Sequence, residues 1–334
     1  MSHTIGFKLN QKKILETYER LEGHVVKTPV FTVPVWRKSP FSGFEEVVLK
    51  LELLQKGGTF KTRGAINSML SYSKKEIASG FVTVSAGNHA IAVAYAAKKF
   101  QADLKVYMPK SANPYRVSMV RELGADLTIL ETTHDAFDKA VLTAKKESRV
   151  LVHPFSSASI FEATASLGYE FLNQKKDLDA LIVPVGGGGL MAGMATAFRE
   201  MKPECELFGV EPYGADAMYL SRQKQDMVTI PKIDTIADSL GAPATTMEVF
   251  RVFEESKVQL VRVSDEELKR AMSLLFHELK MAVEPAAAAA TAALIGPLRE
   301  RLLGKRVGVL LCGANIDLET FYGYGLPKIS EISF

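Results

Sequence analysis

The chain has 334 residues, of which 47% are hydrophobic and 24% are charged, and its formal net charge is +3. Its basic and acidic residues are interspersed, so we expect neither nucleic acid nor a membrane as a partner, and its length favours two domains. The two cysteines, Cys205 and Cys312, do not suggest a disulfide framework. The sequence has no apolar run like that of a signal peptide or a membrane span. Together with the low cysteine content, this favours a cytoplasmic protein.

From residue 47 onward, short apolar runs alternate with segments of helical spacing. We predict strands at residues 47–51, 81–85, 104–108, 127–130, 150–152, 181–185, 207–210 and 306–312. We predict helices at residues 14–21, 65–70, 89–99, 114–123, 136–147, 190–201, 266–280 and 285–294. Asn113 and Pro114 suit a helix start, and Ser264 with Glu267 forms a capping box. This alternation is typical of an α/β fold with parallel sheets, and without a flexible linker we expect intertwined domains.

Residues 57–65 carry one lysine, Lys61, between glycines and an aromatic residue at the start of a helical run. Gly57 and Gly58 allow a close approach of the backbone, and Phe60 offers a flat apolar face. Partly apolar surroundings disfavour the charged form of a lysine, which suits an amine that forms a Schiff base. Taken alone, the stretch fits a solvated surface lysine better.

A glycine-rich turn joins a predicted strand to a predicted helix. It consists of Gly186, Gly187, Gly188 and Gly189. Such a turn exposes backbone N–H groups beside the positive end of a helix, which is typical of a phosphate site. Two alternatives stay open: a turn without a ligand, and a dinucleotide fingerprint that ends at Ala192 and uses Glu211 to bind a ribose.

A second strand-to-helix turn contains Ser85, Gly87 and Asn88, whose polar groups suit a carboxylate. The next residue, His89, is either a general base or, more simply, part of the helix start. At the end of the last strand, Cys312 is either a nucleophile or a buried, inert thiol.

Two further polar stretches are candidates for the rim of a site. They are Glu284 with Pro285, and Asp238 with Ser239. Ordinary loop chemistry explains them equally well.

Several motifs in this order resemble the pyridoxal-phosphate enzymes of fold type II, in the branch of serine/threonine dehydratase (threonine ammonia-lyase) and serine racemase. The resemblance covers residues 28–30, 50–56, 59–65, 85–90, 186–189 and 312–315, and so nearly the whole chain. It implies a fold similar to the β subunit of tryptophan synthase, with two intertwined domains of mostly parallel sheets flanked by helices. A large cofactor-binding domain would comprise residues 1–75 and 158–334, and a small substrate-carboxylate domain residues 76–157. It also implies a homodimer without a C-terminal regulatory domain.

The resemblance further implies that the cofactor is pyridoxal 5'-phosphate, held by Lys61 as a Schiff base. Phe60 would lie against its ring, Asn88 would hydrogen-bond its ring hydroxyl, and Cys312 would face its ring nitrogen. The glycines 186–189 would hold the phosphate. The substrate carboxylate would bind the turn formed by Ser85, Ala86, Gly87, Asn88 and His89.

The reaction implied is β-elimination of a β-hydroxy amino acid, L-threonine or L-serine by default, to a 2-oxo acid and ammonia. The alternatives are racemisation or β-replacement on the same fold, or a protein of another class that binds NAD or another ligand without catalysis. Ala86 stands where racemases carry a second serine, which favours dehydration. Ala217 replaces a carboxylate of the cation site in racemases, so the sequence does not determine whether this chain binds a metal ion. Ser239 replaces a glycine, and residues 161–168 lack the usual Gly-Gln-Gly-Thr, so the substrate side chain stays open.

Overall fold

The computed structural model describes residues 9–35, 37–153 and 157–328, and within them ten strands form two sheets. In chain order, the strands are β1 (Val30–Thr32), β2 (Glu46–Leu51), β3 (Phe81–Val84), β4 (Leu104–Pro109), β5 (Asp126–Leu130), β6 (Val150–Leu151), β7 (Ala180–Pro184), β8 (Glu206–Pro212), β9 (Gln259–Val263) and β10 (Arg306–Leu311). The larger sheet has the order β1-β2-β10-β7-β8-β9 and the smaller sheet the order β5-β4-β3-β6. Of these strand pairs, only β1 with β2 is antiparallel. The predicted α/β class with two mostly parallel sheets is confirmed.

Helices cover both sheets. In chain order they are α1 (Gln11–Leu21), α2 (Lys61–Ser71), α3 (Lys74–Ser79), α4 (Asn88–Lys99), α5 (Pro114–Glu122), α6 (Thr133–Glu147), α7 (Ala158–Gln174), α8 (Gly189–Met201), α9 (Ala217–Lys224), α10 (Met247–Glu255), α11 (Asp265–Leu279), α12 (Pro285–Ile295), α13 (Arg299–Leu302) and α14 (Leu318–Gly323). The smaller sheet is built from one continuous stretch, and the larger sheet takes strands from both sides of it in the sequence. The exact bounds of the two domains stay a prediction.

Each strand and helix predicted from the sequence is present, with ends shifted by up to four residues. The Asn113 cap and the Ser264–Glu267 capping box are also confirmed. The sequence analysis missed α7 because its buried side includes Thr164, Ser166 and Glu170 beside apolar residues, so hydrophobic spacing does not reveal the helix. The three-residue β1 and the half-buried edge strand β9 likewise lack a long apolar run.

The core of the larger sheet depends on close packing of small residues. Strand β10 lies between β2 and β7, and the alanine-rich helix α12 packs against β7, β8 and β10. Every residue from Pro285 to Leu294 is buried. Small side chains let this helix approach the sheet closely, so the alanine run is a packed core helix, as predicted, and not a low-complexity segment.

A buried ionic network joins β2, α2 and α7. Lys50 donates to Glu170 over 2.6 Å, and Arg63 donates to Glu52 and Glu170, each over 2.8 Å. All four side chains are at most 1% exposed. Although burial acts to raise it, the Arg63 guanidinium holds the pKa of Glu52 below its ordinary value. The charges of two cations and two carboxylates therefore balance inside the protein. One of them, Arg63, lies two residues after Lys61 in the sequence.

Replacing Glu170 with glutamine tests this balance. The substitution preserves shape but leaves Lys50 and Arg63 with one carboxylate inside the core, and we expect the free energy of unfolding to fall by about 3–5 kcal/mol. Urea denaturation measures the change. The control is E131Q, which breaks the exposed Lys110–Glu131 pair and should leave the stability as it is. Equal stabilities of E170Q and E131Q would contradict the assigned role.

Candidate active site

The candidate site lies where the carboxyl ends of strands from both sheets meet the first turn of α2. The segments that follow β3, β7 and β10 carry the 85–89 turn, the glycines 186–189 and Cys312, respectively. In open parallel sheets, ligands bind at this end of the strands. The three motifs that the sequence analysis selected separately are thus at the position expected for a binding site.

Backbone hydrogen bonds connect the loop before Lys61 to the segment after β10. The amide of Phe60 donates to the Cys312 carbonyl over 3.0 Å, and the amide of Ala314 donates to the Gly58 carbonyl over 3.0 Å. Gly58 has a φ of +66°, and a Cβ atom there would lie 2.5 Å from Oδ1 of Asn315. A side chain at Gly58 is excluded by both conformation and space, which explains this glycine.

Lys61 is the first residue of α2, so its helix begins one turn earlier than predicted. The Nζ atom lies 5.0 Å from the centroid of the Phe60 ring, and a cavity beside it is lined by Gly64, His89 and Ile160. Burial lowers the pKa of Lys61, against the opposing influence of Cys312 and Glu284. The site therefore favours the neutral, nucleophilic form of this amine.

The glycine turn opens α8. Gly188 has a φ of +86°, and a Cβ atom there would lie 2.6 Å from Cγ1 of Val249. Among the described residues, no side chain caps this 13-residue helix. Its first N–H groups and its dipole therefore fit the phosphate of a cofactor.

The turn that follows β3 has a similar construction. The amide of Gly87 donates to the Ser85 hydroxyl over 3.1 Å, and Ala86 is half-buried. Helix α4 starts at Asn88, and no described side chain caps it. The N-terminus of α4 is thus available for a carboxylate, as the sequence analysis expected for this turn.

His89 is buried, and its Nε2 atom lies 3.1 Å from the carbonyl of Val152. Burial lowers the pKa of His89 to about 3, with Lys61 acting in the same direction. The imidazole is therefore neutral at physiological pH. Its surroundings favour the structural interpretation over a general base, although its ring also lines the cavity beside Lys61.

Asn88 belongs to a buried polar cluster that the sequence analysis did not assemble. Its Nδ2 atom donates to Glu284 over 2.7 Å and to the Ser239 hydroxyl over 3.3 Å. Its Oδ1 atom accepts from Nδ2 of Asn315 over 2.8 Å. Burial raises the pKa of Glu284 to about 7, although Arg116 acts in the opposite direction. Glu284 is 1% exposed, so its interpretation as a rim residue was wrong.

Cys312 is 3% exposed. Burial, together with Glu284, raises the pKa of its thiol well above the ordinary value. The group is therefore a neutral thiol, which argues against a nucleophile and agrees with a neutral neighbour for a ring nitrogen.

The dinucleotide interpretation required Glu211 to be free for a ribose. Instead, Glu211 is buried, and its two oxygens accept the amides of Met218 and Tyr219 over 2.9 and 2.8 Å. The side chain caps α9, so this interpretation was wrong.

The described residues contain no group of three or more His, Cys, Asp or Glu side chains placed to hold a metal ion. None of the helices they form is long and apolar enough to cross a membrane.

Comparisons with known proteins agree with this geometry. The family model described as "Pyridoxal-phosphate dependent enzyme" matches residues 21–313, and the chain belongs to this family. It is 47% identical to the phenylserine dehydratase of Ralstonia pickettii over 90% of this chain and 92% of that protein. It is 36% identical to an L-threonine ammonia-lyase of Geobacter sulfurreducens over 82% of this chain and 68% of that protein. Among solved structures, maize serine racemase superposes with a TM-score of 0.88 at 29% identity, covering 94% of this chain and 96% of that one.

The family and its fold type are thus as the sequence resemblance implied, and the cofactor is pyridoxal 5'-phosphate. The residues present fit this group. A lysine with a lowered pKa, a glycine turn without a side-chain cap for the phosphate, and a buried thiol lie in one region. The individual roles of these residues stay predictions.

The low pKa of His89 predicts a pH effect on stability. Between pH 6.5 and 3 the unfolded chain binds a proton at His89 that the folded chain does not, so His89 lowers the stability as the pH falls through this range. In H89Q, the amide can still donate to Val152, and the slope of the free energy of unfolding against pH should decrease by up to about 1.4 kcal/mol per pH unit. Urea denaturation between pH 4 and 6 measures it, with exposed His134 replaced in H134Q as the control. An unchanged slope in H89Q would show that His89 is protonated in the folded protein.

Proposed function

We propose that the protein catalyses β-elimination of water from a β-hydroxy amino acid, and that hydrolysis of the released enamine gives a 2-oxo acid and ammonia. The observation that carries the proposal is the Lys61 amine, with its lowered pKa, in the same site as the neutral Cys312 thiol. Cys312 would stand beside the ring nitrogen as a neutral neighbour and would not enforce its protonation, which would favour loss of the β-hydroxyl. The 47% identity to a phenylserine dehydratase supports the same reaction class.

In this proposal, each residue of the site has a defined role. Bound pyridoxal phosphate withdraws electrons from Cα of the substrate and so acidifies its Cα proton. Lys61 would hold the cofactor as a Schiff base, and its free Nζ atom would accept the Cα proton of the substrate. Phe60 would cover one face of the ring, and Asn88 would hydrogen-bond its hydroxyl. The N–H groups from Gly186 to Gly189 bind the phosphate, as the uncapped start of α8 supports.

The turn from Ser85 to His89 binds the substrate carboxylate in this scheme, and the uncapped N-terminus of α4 supports it. Because Ala86 has no hydroxyl, it offers no second acid on the opposite face of Cα, so elimination is favoured over racemisation.

The small cavity beside Lys61 has an uncharged lining apart from the lysine itself. Its lining consists of Phe60, Gly64, Ile160, Thr164 and His89 besides the lysine, and burial keeps this histidine neutral. A second carboxylate in the substrate would find no further cation among these lining residues. We propose L-threonine, L-serine or an aromatic analogue such as phenylserine as the substrate, which the likeness to a phenylserine dehydratase and to an L-threonine ammonia-lyase supports. A homodimer in the cytoplasm remains our expectation for its state in the cell.

Replacing Lys61 tests the proposal. K61A removes both the covalent anchor and the base, so ammonia and 2-oxo acid release should fall by about 10³-fold or more. The control is K98A, at an exposed lysine of α4, which should keep the wild-type rate. Circular dichroism checks that K61A is folded. Ammonia release by K61A close to that of the wild type would remove Lys61 from the mechanism.

The same assay compares substrates. With wild-type protein, phenylserine, L-threonine and L-serine should release ammonia, and 3-hydroxyaspartate should do so at a much lower kcat/KM, since its second carboxylate would be buried without a partner. A preference for 3-hydroxyaspartate would contradict the uncharged pocket while leaving the reaction class intact.

A further inference from the structure

Arg116, on α5, is a buried cation beneath the candidate site. It is 4% exposed. Its Nε atom donates to the Asn315 carbonyl over 2.9 Å, and its Nη1 and Nη2 atoms lie 2.5 Å from Asp238 and 3.2 Å from Glu284. A buried guanidinium needs such a set of partners to offset the loss of hydration. The sequence analysis gave this residue no role.

These contacts connect the two sheets at the site. Helix α5 packs against α4 and β5 of the smaller sheet, and Asn315 follows β10 of the larger one. Close by, Nδ2 of Asn113 donates to Asp317 over 2.9 Å and to Thr320 over 3.0 Å, which holds the start of α5 to α14. The position of Arg116 relative to both sheets is therefore fixed from two sides.

Arg116 also touches the turn that is expected to bind the substrate carboxylate. A Cβ atom on Gly87 would lie 2.9 Å from Nη1 of Arg116 and 3.1 Å from its Cδ. The guanidinium thus lies directly against the backbone of this turn. A side chain at position 87 would force Arg116 to shift.

The contact with Glu284 extends the influence of Arg116 to Asn88. One carboxylate oxygen of Glu284 accepts from Arg116 and the other accepts from Asn88, while Asn315 donates to the opposite end of the Asn88 amide. This arrangement fixes which end of the amide is the donor. A protonated Glu284 would compete with Asn88 as a donor and weaken that constraint.

Among the groups around Glu284, Arg116 opposes the protonation of this carboxyl most strongly. Burial raises the pKa of Glu284 to about 7, and Arg116 lowers it more than Asn88 and Lys61 do, while Asp238 raises it. Cys312 also faces Glu284. Without the guanidinium, Glu284 would take up a proton at a higher pH.

We propose that Arg116 is a positioning residue, which holds the Ser85–His89 turn and, through Glu284, the Asn88 amide in the geometry that binds substrate and cofactor. The kinetic part of this inference rests on the proposed function. The part that concerns cofactor binding does not depend on the reaction.

The test uses the holoenzymes of two variants. R116M keeps much of the side-chain volume without the charge, and R116K keeps the charge without the planar guanidinium group. For R116M we expect an increase of about 10- to 100-fold in KM for the amino acid and in the Kd of pyridoxal phosphate, with a smaller change in kcat. The pH midpoint of the absorption change of the bound cofactor should also shift. R116K should restore KM, Kd and the pH midpoint to near their wild-type values. The control is R121M, at an exposed position of the same helix.

Wild-type KM, Kd and pH midpoint in folded R116M would overturn the proposal, as would equal losses in R116K and R116M. If R116M does not fold, D238N removes the half-exposed partner of Arg116 and should raise KM a few fold at an unchanged unfolding temperature. A wild-type KM in D238N would then overturn it. If the wild type releases no ammonia from any β-hydroxy amino acid, the proposed function fails. In that case Kd and the pH midpoint, measured without substrate, still decide the role of Arg116.

Discussion

The position of Lys61 depends on the buried ion pairs of Arg63, two residues further along the same helix. Arg63 is held between Glu52, directly after β2, and Glu170 of α7, so the first turn of α2 is fixed to two elements of the larger sheet region. At the same time, the buried side of α2 packs against α4, which covers the smaller sheet. A buried charge pair is expensive to form but very costly to break, so it holds this helix end in one place. The amine is therefore attached to a rigid support between the two sheets.

Burial also sets the charge states around that amine, and in opposite directions for acids and bases. It lowers the pKa values of Lys61 and His89, and it raises those of Glu284 and Cys312. The result is a site that favours neutral groups, in which Arg116 is the buried cation that opposes the protonation of Glu284. Reaction at an acidified Cα benefits from such surroundings because a neutral amine can accept a proton.

Most of the fold and the motifs of the candidate site could be predicted from the sequence, because both depend on local patterns. Strand runs, helix starts and the glycine turn are contiguous, and Gly58 and Gly188, both with positive φ, lie within such glycine-containing stretches of the sequence. The cluster behind Asn88 could not be predicted in this way. Arg116 and Glu284 are 168 residues apart, and only the meeting of the two sheets brings them together. A single charged residue near a helix start carries no sequence signal of burial, since most such residues are solvated.

The central claim is that Lys61 carries the cofactor, and the most direct measurement is the location of the covalent bond. The protein is incubated with pyridoxal phosphate, reduced with borohydride, digested and analysed by peptide mass spectrometry. The account predicts that the pyridoxyl group is found on Lys61, at one group per chain. A label spread over surface lysines, with Lys61 unmodified, would contradict it.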